Sequence, residues 1–185
     1  MKHTYIVAIL GITLLVGCSQ ERAEAPIGTG TKIVCDKFKL VIKVTGSKLA
    51  LSADTDLPDN AIVGVVVSRS YLEKGNPDTY EVDYFSERST IGKWRSEHII
   101  PIDDEIWKTA LMAKQEKMSR LGFGFDVASV SDRINVRMLV PINQPDSRFG
   151  NGNENLTGSA VSTGRPLHHM RIVEDKLEID HPLNQ

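Results

Sequence analysis

The sequence predicts a mainly β fold: an antiparallel β-sandwich, immunoglobulin-like or of a related kind, with one amphipathic α-helix at about 104–121. Two observations lead to this prediction. From Ile33 onward, apolar residues alternate with polar ones in short runs separated by polar turns, as in half-buried strands. A single segment shows the 3.6-residue period of a helix. A β-barrel is the alternative, whereas a doubly wound fold would need more helices between its strands.

The first half of the domain divides into apolar runs and polar turns. Strands are predicted at residues 38–44, 49–53, 61–67, 80–84 and 93–100. Clusters of Gly, Pro, Asn and Asp predict turns at residues 45–48, 54–60 and 73–78. Aromatic residues are concentrated in this half, at Tyr71, Tyr80, Tyr84, Phe85 and Trp94. We expect them in the core of alternating strands, although exposed aromatics on a sugar-binding face are the competing interpretation.

The helix is predicted from side-chain spacing and from its two ends. Its stripe has alternating spacings of four and three residues, at Trp107, Leu111, Lys114, Met118 and Leu121. Asp103 suits the N-cap, and Gly122 suits the left-handed residue that closes a helix. We expect the helix to cover an edge or an end of the sandwich, with its apolar stripe turned inward, so that Trp107 is buried.

The second half returns to strands and contains one long irregular segment. Strands are predicted at residues 123–127 and 134–140, with residues 131–132 as the hairpin turn between them. A last hairpin is predicted from residues 169–173 and 177–180. The segment 143–166 is too long for an ordinary connection, and residues 156–161 could form a short edge strand within it.

Composition limits the class of protein. The 185 residues, 20.5 kDa, suffice for one domain, placed at 33–182. A net charge of −2 and a pI near 6.2 argue against nucleic-acid binding. Two cysteines are too few for a disulfide-rich scaffold.

The N-terminus has the layout of an export signal. Lys2 precedes an apolar run that is too short for a membrane span and that ends in Leu15-Val16-Gly17-Cys18. This ending resembles the lipobox of bacterial lipoprotein precursors, a likeness that covers residues 1–19. The resemblance implies a signal peptide at 1–17, cleavage after Gly17, and a diacylglyceryl and acyl anchor on Cys18.

The resemblance also predicts where the protein resides. In that family Ser19, in place of Asp, points to the outer membrane, so we expect an anchored protein that faces the periplasm. Residues 18–32 contain Pro and Gly without apolar periodicity and are predicted to be a flexible tether.

The sequence contains no convincing catalytic constellation, and no catalytic residue is assigned. Cys35 has no local feature that would lower its pKa, so we expect a packed thiol. The carboxylates of Asp54, Asp56 and Asp59 form a weak calcium candidate, although turns select the same residue types. No other metal or cofactor is predicted, because the histidines are scattered or adjacent.

A partner-binding site is predicted in the long segment. Its candidate residues are Arg148, Phe149, Asn151 and Asn153. Phe149 and Arg148 are either displayed to a partner or serve to hold the segment in place, since a solvated loop needs neither an aromatic ring nor a guanidinium. The expected function is a lipid-anchored, non-enzymatic binding or assembly module for an envelope protein or glycan; the alternative is an anchored enzyme acting on cell-wall polymer.

Overall fold

A computed structural model describes residues 32–163 and 170–181. The predicted signal peptide, Cys18 and nearly all of the tether lie outside these residues. The described elements are, in order, β1 (Ile33–Val34), β2 (Phe38–Thr45), β3 (Lys48–Thr55), β4 (Ile62–Glu73), β5 (Thr79–Thr90), α1 (Ile91–Trp94), β6 (His98–Pro101), α2 (Asp104–Arg120), β7 (Val127–Leu139), β8 (Leu156–Thr157), β9 (Ser162–Thr163), β10 (Arg171–Ile172) and β11 (Glu174–Asp180).

Two antiparallel sheets form the body of the domain. The larger has the strand order β11-β7-β4-β5, and the smaller has the order β2-β3-β6. Alternate residues of β4 turn Val63, Val65 and Val67 toward the smaller sheet, where Leu49 and Leu51 are fully buried. The predicted mainly β, antiparallel sandwich is therefore confirmed.

Helix α2 covers the other half of the same face of the large sheet. Tyr71, further along β4, packs with Val82 of β5 and with Trp107 and Leu111 of α2 in a second buried cluster. Asp103 caps the helix by accepting a hydrogen bond from the backbone N–H of Glu105 at 2.9 Å. The predicted helix and the burial of Trp107 are confirmed, and the helix ends at Arg120.

The hairpin predicted at residues 131–132 is wrong. These residues lie inside β7, which pairs along most of its length with β4. The ladder shifts between the pairs Arg69–Ile134 and Tyr71–Val130, so the turn-forming residues make a bulge instead of a reversal. The twelve-residue strand β4 pairs with both halves of β7 and keeps them in one strand. This pairing is distant in sequence, so the residues around 131–132 do not indicate it.

Three other strand predictions also fail. In the range 93–100 only β6 is extended, because Ile91 and Trp94 bury their side chains from the short helix α1. Residues 123–126 are not a strand. The last hairpin is absent because residues 174–176 pair with β7 as part of β11, whereas β10 pairs with β9; residue 169 lies outside the described residues.

The segment after β7 packs back onto the beginning of β4. Gln144 accepts a hydrogen bond from the Ile62 N–H and donates one to the Ile62 carbonyl, both at 2.8 Å. Of the edge strand predicted at 156–161, two residues form β8, which pairs in parallel with β1. Gly158 has a φ of +122° and lies against the Cys35 backbone, where a Cβ atom would approach the carbonyl oxygen to 2.3 Å.

Candidate functional site

The predicted partner-binding residues do not form one exposed surface. Phe149 is fully buried in the main core, at the end of a short 3₁₀ turn. Asn153 is also fully buried, and its side-chain amide donates to the Pro141 carbonyl at 3.0 Å. Display of these two side chains to a partner is therefore wrong: Phe149 anchors the segment from within.

Arg148 and Asn151 are exposed, but Arg148 is occupied locally. Its guanidinium lies 2.6 Å from the Asp146 carboxylate and, together with the Arg148 N–H, holds the pKa of Asp146 well below its usual range. Asp146 also accepts a hydrogen bond from the Asn60 amide at 3.0 Å. These contacts tie the segment to the turn before β4.

The three calcium candidates have separate partners. Asp54 pairs with Lys37 at 2.7 Å, and Asp59 pairs with Arg95 at 2.7 Å. Asp56 accepts a backbone hydrogen bond from Asp36 at 2.9 Å. Within the described part of the chain, no group of three or more His, Cys, Asp or Glu residues is arranged to hold a metal ion.

Cys35 is a packed thiol, as its sequence context predicted. Its side chain is fully buried, and its Sγ lies 3.7 Å from the Lys37 carbonyl, to which it donates. Burial, reinforced by the nearby Asp56 carboxylate, raises the pKa of the thiol to about 12. Because the thiolate is the nucleophile, this environment suppresses the reactivity of the side chain.

A cleft of about 400 Å³ opens where α2 begins. It is lined by Ser47, Pro101, Ile102, Asp103, Asp104, Glu105, Lys108 and His181. Asp104 Oδ1 lies 3.6 Å from His181 Nε2, so a carboxylate and an imidazole are neighbours in the cleft, at a separation longer than a hydrogen bond.

The Asp104 carboxylate is also part of a buried network beneath the cleft. Arg69 of β4 is almost fully buried and places Nη2 3.1 Å from Asp104 Oδ1. Its Nη1 donates to the carbonyls of Ser131 and His181, both at 2.9 Å. Burial lowers the pKa of Arg69, opposed by the Asp104 charge. The network joins α2, the β7 bulge and the end of β11, which gives Asp104 a clear structural role.

The apolar tip, formed by Leu121 and Phe123 directly after α2, exposes two large hydrophobic side chains to solvent. The exposed fraction is 59% for Leu121 and 69% for Phe123. Gly122, at φ +81°, donates to the Ser119 carbonyl, and Phe123 donates to the Met118 carbonyl. This pair of bonds is a Schellman motif, so a defined backbone presents both side chains to solvent.

The sequence interpretation missed the apolar tip because it assigned Leu121 to the buried stripe and Phe123 to a strand. The sequence signal for an exposed tip was the pair of large apolar residues, Leu121 and Phe123, on either side of the helix-closing Gly122. The tip lies next to the β4–β5 turn, where the Lys74 N–H donates to the Asp126 carbonyl at 2.8 Å. The apolar tip is therefore near the last residues of β4. Strand β1 is near the first residues of β4, because it pairs with the segment that packs against Ile62.

Comparison with known proteins adds no relative. No family model, no curated protein and no solved structure matches this chain. Among residues 32–163 and 170–181, no helix has the length and apolar character required to cross a membrane.

Proposed function

We propose that this chain is an envelope lipoprotein, lipidated at Cys18, that acts as a non-enzymatic binding or assembly module and contacts its partner through the apolar tip. The single observation that carries the binding role is the exposure of Leu121 and Phe123 on a rigid turn. Exposed apolar side chains gain free energy when a partner covers them, and a fixed backbone reduces the entropy lost on binding.

The composition of the apolar tip favours a protein partner over a glycan. Sugar recognition uses an aromatic ring surrounded by polar groups, whereas Leu121 places a branched aliphatic side chain beside the ring. An apolar groove on a protein accommodates both side chains, and aromatic residues are enriched at the centres of such interfaces.

The position of the apolar tip suits an anchored protein. A tether from Cys18 would enter the domain at β1, whereas the tip is at the far end of the twelve-residue strand β4. At about 3.3 Å per residue, β4 separates the two ends by about 40 Å. This arrangement supports a module that is held at one end and binds at the other.

The binding role is tested with a photo-crosslinking amino acid at position 123 in the native cells. A single crosslinked protein species is expected at position 123. The matched control is position 112, because Met112 is 67% exposed on the same helix but lies outside the apolar tip. Equal crosslinking from both positions, or none from position 123, would overturn the tip as the binding surface.

The anchor is tested separately by Cys18→Ala. The wild-type protein should carry the mass of its acyl groups and fractionate with membranes, because several chains hold a protein firmly where one does not. The variant should lose both properties. A wild-type protein without acyl mass that fractionates as soluble would contradict the anchor and leave the tip proposal standing.

The second candidate function, an enzyme acting on cell-wall polymer, is favoured by the Asp104–His181 pair in the cleft. Purified cell wall incubated with the protein distinguishes the two. The binding-module proposal predicts no new polymer ends with either the wild-type protein or His181→Gln. New ends that form with the wild-type protein and fail to form with His181→Gln would establish the enzyme instead.

A further inference from the structure

The outer face of the small sheet is rich in lysine and therefore positively charged. We call it the basic sheet face and define it by Lys39, Val41 and Lys43 of β2, Lys48 and Ala50 of β3, and Ile99 of β6. Alternation along the strands turns these side chains away from the core. The acidic residue on the same face of β3, Asp54, is already paired with Lys37 at 2.7 Å. Within the described ranges, the three lysines of this face, Lys39, Lys43 and Lys48, have no acidic group within 4.0 Å.

The basic sheet face also exposes apolar side chains on its two outer strands. Val41 is 49% exposed and Ile99 is 60% exposed. The register places Ala50 directly between Lys43 and Ile99. A surface that mixes cationic and exposed apolar side chains combines the two features that favour binding to lipid: charge for the headgroups and hydrophobic area for the acyl boundary.

Protection of sheet edges does not account for this composition. Lysines on an edge strand prevent it from pairing with other chains, which would explain Lys39 and Lys43. Lys48, however, is on the central strand β3, and the exposed Val41 and Ile99 work against such protection. The concentration of positive charge also contrasts with the net charge of −2 for the whole chain.

We propose that the basic sheet face docks onto an anionic phospholipid surface. Strand β2 follows directly after β1, so an anchor at Cys18 would hold this face near a membrane. The inference does not depend on that anchor, because charge and exposed apolar area are properties of the folded domain. Each lysine near an anionic membrane strengthens binding by about fivefold, and this contribution falls as salt shortens the Debye length.

The test uses residues 19–185, which contain the whole described fold and lack Cys18. Vesicles made of equal parts of phosphatidylglycerol and phosphatidylcholine are compared with vesicles of pure phosphatidylcholine in a sedimentation assay. We expect binding to the anionic vesicles, weaker binding at high salt, and little binding to the neutral vesicles. Lys39→Glu combined with Lys43→Glu should weaken binding by at least about 25-fold.

The matched control reverses two charges on α2 instead, through Lys108→Glu combined with Lys117→Glu, and should change binding by less than about twofold. Circular dichroism checks that each variant is folded; if the β2 variant is not, Lys39→Gln combined with Lys43→Gln replaces it and should weaken binding in the same direction. Absence of binding to anionic vesicles, equal binding to neutral ones, or equal losses in both double variants would overturn the proposal. So would binding to heparin without binding to vesicles.

Discussion

At the scale of single residues, burial changes the chemistry of Cys35. At pH 8 a thiol with a pKa of about 12 is ionised in about one molecule in ten thousand. In the chain from Ser19, which contains no other cysteine, we expect Ellman's reagent to leave the native protein unmodified for hours and to modify one thiol per chain in denaturant. Rapid modification of the native protein would mean that the thiol is accessible.

Arg69 contrasts with Cys35, because folding buries its charged guanidinium in the core. Removing one member of a buried ion pair leaves the other uncompensated, so Arg69→Met should lower the free energy of unfolding by about 3–5 kcal/mol. Adding Asp104→Asn should cost less than the sum of the two single changes. Urea denaturation measures all three variants, and strictly additive losses would show that the pair does not interact.

At the scale of elements, the segment after β7 depends on its aromatic anchor. Phe149→Ala removes a fully buried ring and should destabilise the protein by about 3–5 kcal/mol, lowering the melting temperature by roughly 10 °C. Arg148→Ala should leave the melting temperature nearly unchanged, because the guanidinium is exposed. A small effect of Phe149→Ala would mean that the segment holds its place without the ring.

The elements that sequence predicted well are those decided by local residues. Helix α2 was found because its cap, its stripe and its closing glycine lie within twenty residues of one another along the chain. The bulge in β7 could not be found, because whether Ser131 and Asp132 reverse the chain depends on the distant strand β4. Leu121 and Phe123 were misplaced for a related reason: apolar periodicity indicates burial and does not identify the surface that is left uncovered.

At the scale of the whole molecule, β4 joins the two buried clusters into one unit. It contributes Val63, Val65 and Val67 to the core between the sheets and Tyr71 to the cluster under α2. Each cluster contains one of the two tryptophans: Trp94 belongs to the first and Trp107 to the second. Loss of either cluster should therefore destabilise the other.

Trp94→Phe and Trp107→Phe test this coupling, because each leaves one fluorescent reporter. In both variants the fluorescence midpoint in urea should coincide with the midpoint from far-ultraviolet circular dichroism, as in a two-state transition. A fluorescence midpoint below the circular dichroism midpoint in Trp94→Phe alone would show that the α2 cluster unfolds first.

The pairing of β1 with β8 also sets an order for folding. Ser159 bonds to Asp36 across 123 positions of sequence, and the Leu40 N–H bonds to Asp175 across 135. The contacts of β1 and the start of β2 thus cannot form until the last part of the chain is present. The β4–β5 hairpin, in contrast, can form from residues that are close in sequence. Contacts of such long separation slow folding, because loop-closure entropy is lost before they form. During the export that we propose for this chain, β1 would emerge first and acquire its partner strand among the last.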